Sequence, residues 1–191
     1  FNHSLNYTYI RYGHNDLINR VGVGESLKFD FLKNHTSITN ITFNYSHYLD
    51  SDIVADDYFN LKIDQKVVKH FKYNTNLLLK FGFENNYKKD DSQNITDYKS
   101  YKIGTGGDIS FADYKVELLY DYQNKKYDKE NPLFQKKQTD KQTDIQAIIN
   151  RKGKYITYQT KVEYVDNISN IEPYSYKKWI LSINFIKQFK G

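Results

Sequence analysis

The sequence predicts an all-β protein, an up-and-down antiparallel transmembrane β-barrel of about ten strands. Three observations carry that expectation. Apolar and polar residues alternate with a period of two along most of the chain, the pattern of strands with two unlike faces. Aromatic residues reach 17%, with 19 Tyr and 12 Phe, whereas alanine occurs only at positions 55, 112 and 147, so strand formers far outnumber compact helix formers. The links between alternating segments are short and long in turn, as in barrels whose two ends differ in loop length.

Each segment justifies itself in order. In Phe1–Tyr12, Leu5, Tyr7 and Tyr9 oppose Ser4, Asn6 and Thr8. In Asn19–Phe31, Val21, Val23, Leu27 and Phe29 oppose Arg20, Gly22, Gly24 and Lys28. Ser37–Tyr48 sets Ile41, Phe43 and Tyr45 against Asn40, Thr42 and Asn44. Tyr58–Val68 sets Phe59, Leu61 and Ile63 against Asn60, Lys62 and Asp64. Thr75–Tyr87 carries Leu77, Leu79, Phe81 and Phe83 against Lys80, Gly82 and Glu84. Tyr101–Phe111 is weaker, with Ile103, Ile109 and Phe111 against Lys102, Gly104, Gly106 and Asp108. Tyr114–Tyr122 sets Val116, Leu118 and Tyr120 against Lys115, Glu117 and Asp121. Gln142–Arg151 has Ile145, Ala147 and Ile149, with Asp144 on the other parity. Tyr155–Val165 sets Tyr158, Val162 and Tyr164 against Gln159, Lys161 and Glu163. The last segment alternates through Trp179, Leu181, Ile183, Phe185 and Phe189, broken only by Lys187.

Short links are expected at Leu32–Thr36, Lys69–Asn74, Ala112–Asp113 and Lys152–Lys154. Longer ones are expected at Leu49–Asp57, Lys88–Ser100, Gln123–Lys141 and Asp166–Pro173, with Gly13–Ile18 in the same set. In a meander, alternate links share one end of the sheet, so short and long links would collect at opposite ends. Pro132 and Pro173 both fall in long links, where no ladder N–H is lost. A soluble sandwich also alternates. The membrane reading is favoured by segments near the ~9–11 residues of a spanning strand. It is also favoured by a polar face that mixes small residues with both charge signs. Glu25, Gln65 and Lys187 intrude on the apolar face; Glu25 is read as a bulge and Lys187 as an interfacial residue.

The closing stretch "VDNISNIEPYSYKKWILSINFIKQF" resembles the end of barrels of the surface lipoprotein assembly modifier type, with Ser169, Asn170, Tyr174, Tyr176, Lys178 and Phe189 as the matching residues. That resemblance implies a barrel in the outer membrane of a Gram-negative bacterium. It implies contact with membrane lipid and the barrel assembly machinery, and a part in delivering lipoproteins or other proteins to the surface. It departs from the pattern at Lys187, where a second aromatic usually stands, and at Lys190 and Gly191, which follow Phe189. No tetratricopeptide repeat accompanies it. Residues 1–191 therefore read as one β-barrel domain, with allowance for upstream strands or an N-terminal periplasmic domain, since Phe1 already opens inside a strand pattern.

Other chemistries find less support. The formal net charge of +5 is spread among mixed signs, unlike the clustered basic face of a nucleic-acid binder. Cysteine is absent, and His3, His14, His35, His47 and His70 lack metal-ligand spacing. His14 with Asp16, and His47 with Asp50 and Asp52, lie at loop ends where some outer-membrane proteases keep an Asp–His pair, but no spacing supports catalysis. Asp50, Asp52, Asp56 and Asp57 lack an EF-hand pattern. "GTGGD" at Gly104–Asp108 lacks the Gly-Lys-Ser/Thr step of a phosphate loop and reads as small residues in a bending strand. The expectation is a protein that is not an enzyme and needs no cofactor.

The candidate site is the polar face. Its lumen-lining candidates are Arg20, Lys28, Lys62, Asp64, Lys80, Glu84 and Lys102. Further along the chain they are Asp108, Lys115, Glu117, Asp144, Lys161 and Glu163. Such a face forms either an ion-pair network that plugs a narrow barrel or a polar conduit in a wider one. Membrane-interface and assembly roles are expected of Tyr174, Tyr176, Trp179, Phe185 and Phe189. The alternatives are a small structural or adhesive barrel that acts through its long loops, and a soluble antiparallel ligand-binding sheet.

Overall fold

In a computed structural model, the alternation resolves into a single antiparallel sheet whose strands follow chain order. The structure describes residues 2–12, 15–32, 34–48, 58–88, 97–154 and 156–187. The strands are β1 (Asn2–Tyr12), β2 (Asn15–Leu32), β3 (His35–Tyr48), β4 (Tyr58–His70) and β5 (Thr75–Lys88). They continue as β6 (Tyr98–Phe111), β7 (Tyr114–Asn131), β8 (Lys136–Lys152), β9 (Ile156–Ser169) and β10 (Tyr176–Lys187). A 3-10 turn, Glu172–Tyr174, precedes β10, with Pro173 inside it, where its missing N–H costs nothing.

Each strand hydrogen-bonds to the next, and the register is unbroken over long runs. Among the described residues, register shifts fall between Ile10 and Arg11, between Asp30 and Leu32, and between Lys126 and Glu130. No shift occurs at Glu25, which pairs regularly with Ile41 and His3; the expected bulge there is not formed. Strict register means that residues of one parity share a face across the whole sheet.

That sharing sorts the chemistry. One face carries Phe43, Leu61, Ile63, Leu79, Phe81, Ile103 and Leu118 in neighbouring rows, and continues through Ile145, Val162, Leu181 and Phe185. The opposite face carries Asn60, Lys80, Glu84, Ser100, Asp121, Gln142 and Asn167. Burial runs against the usual order. Trp179 is 73% exposed and Leu118 62%, while Asp121 is 5%, Ser100 2% and Asn131 1% exposed. Gln65 sits on the apolar face with its amide satisfied across the strands: its Nε2 donates to Ser37 Oγ, and Thr39 donates to its carbonyl.

The polar face is the concave one. Glu84 of β5 and Tyr176 of β10 line a common cavity, although five strand spacings of about 4.8 Å would hold them roughly 24 Å apart on a flat sheet. Glycines make the curl possible. A Cβ at Gly104 would lie 2.0 Å from Asp121 Oδ1, and one at Gly106 would lie 2.4 Å from the Leu118 carbonyl. The expected small residues in a bending strand are therefore spaces into which a neighbouring strand fits.

The sequence reading expects this sheet to close. Among the described residues no ladder joins β1 to β10, and the sheet is open along those two strands. A ladder requires two edges to run alongside at about 4.8 Å, and curl alone does not supply that. Three link expectations also change. β2 begins at Asn15, so the link before it is short. β7 and β8 continue to Asn131 and from Lys136, leaving only residues 132–135 between them. β9 continues to Ser169. Beyond Tyr122 the face that had been apolar carries Asn124, Lys126 and Lys141, so the β7–β8 hairpin projects past the apolar band. Hydrogen-bonded pairing, not hydrophobic alternation, holds that projection.

Three substitutions test these details. Ala112 turns the β6–β7 hairpin at φ 47°, a conformation that glycine adopts without a Cβ clash. Ala112→Gly is expected to raise stability by about 0.5–1 kcal/mol, read as a higher urea midpoint in detergent micelles. Gly104→Ala is expected to lower stability by about 1–3 kcal/mol, read as a lower midpoint. Gly82→Ala, whose Cβ would meet the Asp64 carboxylate at 3.0 Å, should cost less.

Candidate polar-face site

The concave face is built from alternate residues of β4 to β10, and ion pairs organise it. Asp121 of β7 is the centre: Lys80 of β5 approaches its carboxylate at 3.1 Å and Lys102 of β6 at 3.4 Å. Lys80 reaches past the whole of β6, and Gly104 is the position it passes over. Two cations and one buried carboxylate leave local positive charge; Asp64 nearby is already paired with Lys62 at 2.9 Å.

A second cluster lies toward the short-turn end. Lys115 contacts Glu117 at 3.2 Å and Asp108 at 3.7 Å. Asn76 Nδ2 donates to Asp108 at 2.9 Å, and Asn150 Nδ2 donates to Glu117 at 3.3 Å. Gln159 extends the chain of amides to Asn150 at 2.9 Å, and Asn184 of β10 to Gln159 at 3.0 Å. Lys161 and Glu163 pair at 2.6 Å within β9.

A third region, at the long-link end, is a cleft of about 540 Å³. Glu84 forms its floor, accepting from Tyr98 Oη at 2.7 Å and from Asn60 Nδ2 at 2.7 Å. Lys125 perches 3.6 Å from the centre of the Tyr98 ring and 4.9 Å from that of Tyr127. Both residues stand on the hairpin beyond the apolar band. Burial lowers the Lys125 pKa against the opposing pull of Glu84 and Asp140. Burial first, then the charges of Asp140 and Tyr174, push the Tyr127 hydroxyl up to about 12. Asn131 Nδ2 donates to Tyr174 Oη at 3.0 Å, and Phe134 meets the Tyr174 ring edge-on at 6.2 Å, so the hairpin tip folds onto the turn before β10. Asn170 ties that turn to β8: Thr139 N–H donates to its Oδ1, and its Nδ2 donates to the Lys137 carbonyl, each at 2.8 Å.

The register places every expected lumen residue on this face. For Arg20 and Lys28 only the strand position is described. Asp121, which holds lysines from two other strands, was not among those candidates. Its parity signalled the face, but its partners become visible only when β5, β6 and β7 are set in register.

The aromatic candidates divide. Trp179 and Phe185 are exposed on the apolar face, with Tyr164 4.8 Å from Trp179 and Tyr158 5.6 Å from Phe185, ring centre to ring centre. Tyr176, opposite Asn167, belongs to the polar face and lines the cleft with Tyr174. For Tyr176 the reading that grouped it with Trp179 is corrected by parity, since residues 176 and 179 differ by an odd step and point to opposite sides; Tyr174 stands in the turn before β10. Phe189 lies outside the described residues, as do His14, Asp50, Asp52, Asp56, Asp57, Lys190 and Gly191. Lys187 ends β10 opposite Ile156.

No protein-family model matches the chain, and no curated protein matches it significantly. Among solved structures, it is similar to the β domain of the Bordetella autotransporter BrkA. The TM-score is 0.50 at 10% identity, over 96% of this chain and 80% of that one. At that identity the likeness concerns the fold: an up-and-down antiparallel β architecture of the barrel kind.

Asp121→Asn is expected to lower unfolding stability in micelles by about 1–3 kcal/mol, because two lysines then face each other without their shared carboxylate. Removing one of them as well, in Asp121→Asn with Lys80→Gln, should restore part of the loss. A urea series on the two variants reads the effect.

Proposed function

We propose that this chain is the membrane-spanning sheet of an outer-membrane barrel in a Gram-negative bacterium, and that it serves protein export. The observation that supports this reading is the inverted burial. Large apolar side chains from Val23 to Phe185 stand exposed on one continuous face, while the polar residues of the other face are the buried ones. Water does not tolerate an apolar area of that extent on a folded monomer; hydrocarbon does. The apolar face also has aromatic rows near its ends. Tyr45, Phe59 and Tyr87 stack at 5.1–5.5 Å toward the long-link end, and Phe111 stacks on Tyr114 at 5.8 Å by the short turn. We assign these rows to the two lipid–water interfaces as girdles. The likeness to an autotransporter β domain supports the export role.

In this reading the chain is not an enzyme. Its partners are outer-membrane lipid, the machinery that assembles barrels and, on the resemblance of its closing strand, a lipoprotein or other protein cargo. The ion pairs around Asp121 support a second reading, a structural or adhesive barrel with a filled lumen.

The test is refolding from denaturant into amine-oxide micelles. A compact band that shifts on boiling is expected on a denaturing gel; a monomer that is folded and soluble without detergent overturns the membrane assignment. Leu118→Arg, in the middle of the apolar face, should cost about 2–4 kcal/mol of stability in bilayers. The same change at Lys126, past the apolar band, should cost little. Steady conductance in planar bilayers favours the conduit, and an electrically silent folded protein favours the filled barrel.

A further inference from the structure

We propose that the cleft at the long-link end of the polar face binds an uncharged saccharide. Its volume of about 540 Å³ lies in the range of small-ligand sites. Four tyrosines line it: Tyr98, Tyr127, Tyr174 and Tyr176. Four amides join them: Gln123, Gln138, Gln142 and Asn167. No aliphatic side chain lines it, so an acyl chain or an apolar peptide side chain would gain little by entering.

The charged groups there are already answered from within the protein. Glu84 takes hydrogen bonds from Tyr98 and Asn60. Gln138 Nε2 donates to both oxygens of Asp140, at 2.8 and 3.1 Å. Lys125 rests over two tyrosine rings. A charged ligand would have to displace these hydrogen bonds and ring contacts, whereas hydroxyl groups find open partners. The Gln142 side chain and the hydroxyls of Tyr127 and Tyr176 make no side-chain hydrogen bond among the described residues, and all face the cleft.

An extended peptide is disfavoured for another reason. Of the lining strands, β5 to β9 are each paired on both sides, so their backbone groups are engaged and cannot add a further strand; only β10, which carries Tyr176, keeps an open edge. A saccharide needs none of them. Its C–H faces stack on tyrosine rings, and its hydroxyls exchange hydrogen bonds with amides and phenols, the two kinds of group this cleft combines. The hairpin tip, tied down by Asn131 on Tyr174, gives the cleft a fixed wall.

The proposal does not depend on export; it requires only the folded sheet. The experiment uses the whole chain in micelles of an amine-oxide detergent, whose headgroup carries no sugar. Saturation-transfer NMR is recorded with maltotriose, cellotriose and triacetylchitotriose, and a neutral glycolipid in vesicles forms a second arm. Transfer to ring protons of at least one probe is expected, with competition by an alkyl maltoside. Gln142→Ala and Tyr127→Ala should each weaken that binding about tenfold while keeping the heat-modifiable band. Leu118→Ala, on the other face, should leave it unchanged. Binding of the glycolipid alone, abolished by the cleft variants, would identify a lipid-linked source; binding of the free sugar would identify a soluble one. Absence of transfer from all probes at millimolar concentration overturns the proposal, as does equal binding by the cleft variants. Loss of the heat-modifiable band in wild type would instead strike the membrane reading.

Discussion

Everything in this molecule depends on the register of one continuous antiparallel ladder. A single-residue slip between any two strands would exchange the faces beyond it, placing Lys80 beside Phe81's neighbours and Leu79 beside Asp121. Among the described residues, irregularity falls near strand ends, at Ile10/Arg11, Asp30/Leu32 and Lys126/Glu130. Between those points most apolar side chains meet others across the sheet, and the charged residues collect on the opposite face, with Glu25 an exception opposite Ile41. The contrast between faces is thus collective, set by pairing and not by any one residue.

The polar face shows how that pairing is reinforced. Gly104 and Gly106 are voids in β6 that β7 fills, and Asp121 occupies one of them so closely that a methyl group could not share it. The carboxylate then holds lysines from two other strands. Curl, small residues and charge compensation are one device. Without the glycines the strands could not bend inward, and without the bend Lys80 could not reach past β6. At the long-link end, amides join ion pairs such as Lys129 with Asp97 at 3.8 Å, and the projecting hairpin is held by Asn131 and Asn170 in place of apolar packing.

Much of this was legible in the sequence, and the exceptions have physical causes. Alternation locates all ten strands because each has one face richer in large apolar residues. It loses β7 after Tyr122 and β8 before Gln142, where both faces are polar and Lys125, Lys126, Lys137 and Lys141 give no contrast to read. Pairing there is a property of backbone and amides, to which hydrophobic periodicity is blind. The lumen candidates follow from parity and share one face. Tyr176 could have been assigned by the same parity but was grouped by residue type. The perch of Lys125 between two rings, and the role of Asp121, depend on which strands curl together, and no single segment encodes that.

The two open margins of the sheet have a consequence of their own. β10 presents twelve residues along its outer side, and about half of their peptide groups point away from β9. In water those groups would be hydrated; in hydrocarbon each would cost several kcal/mol if left alone. A bilayer therefore acts on this sheet as a demand for a seam. The strand that meets β10, whether β1 or one from another polypeptide, supplies more free energy by zipping that margin than any side-chain contact described above. Insertion and seam formation would then be a single thermodynamic event.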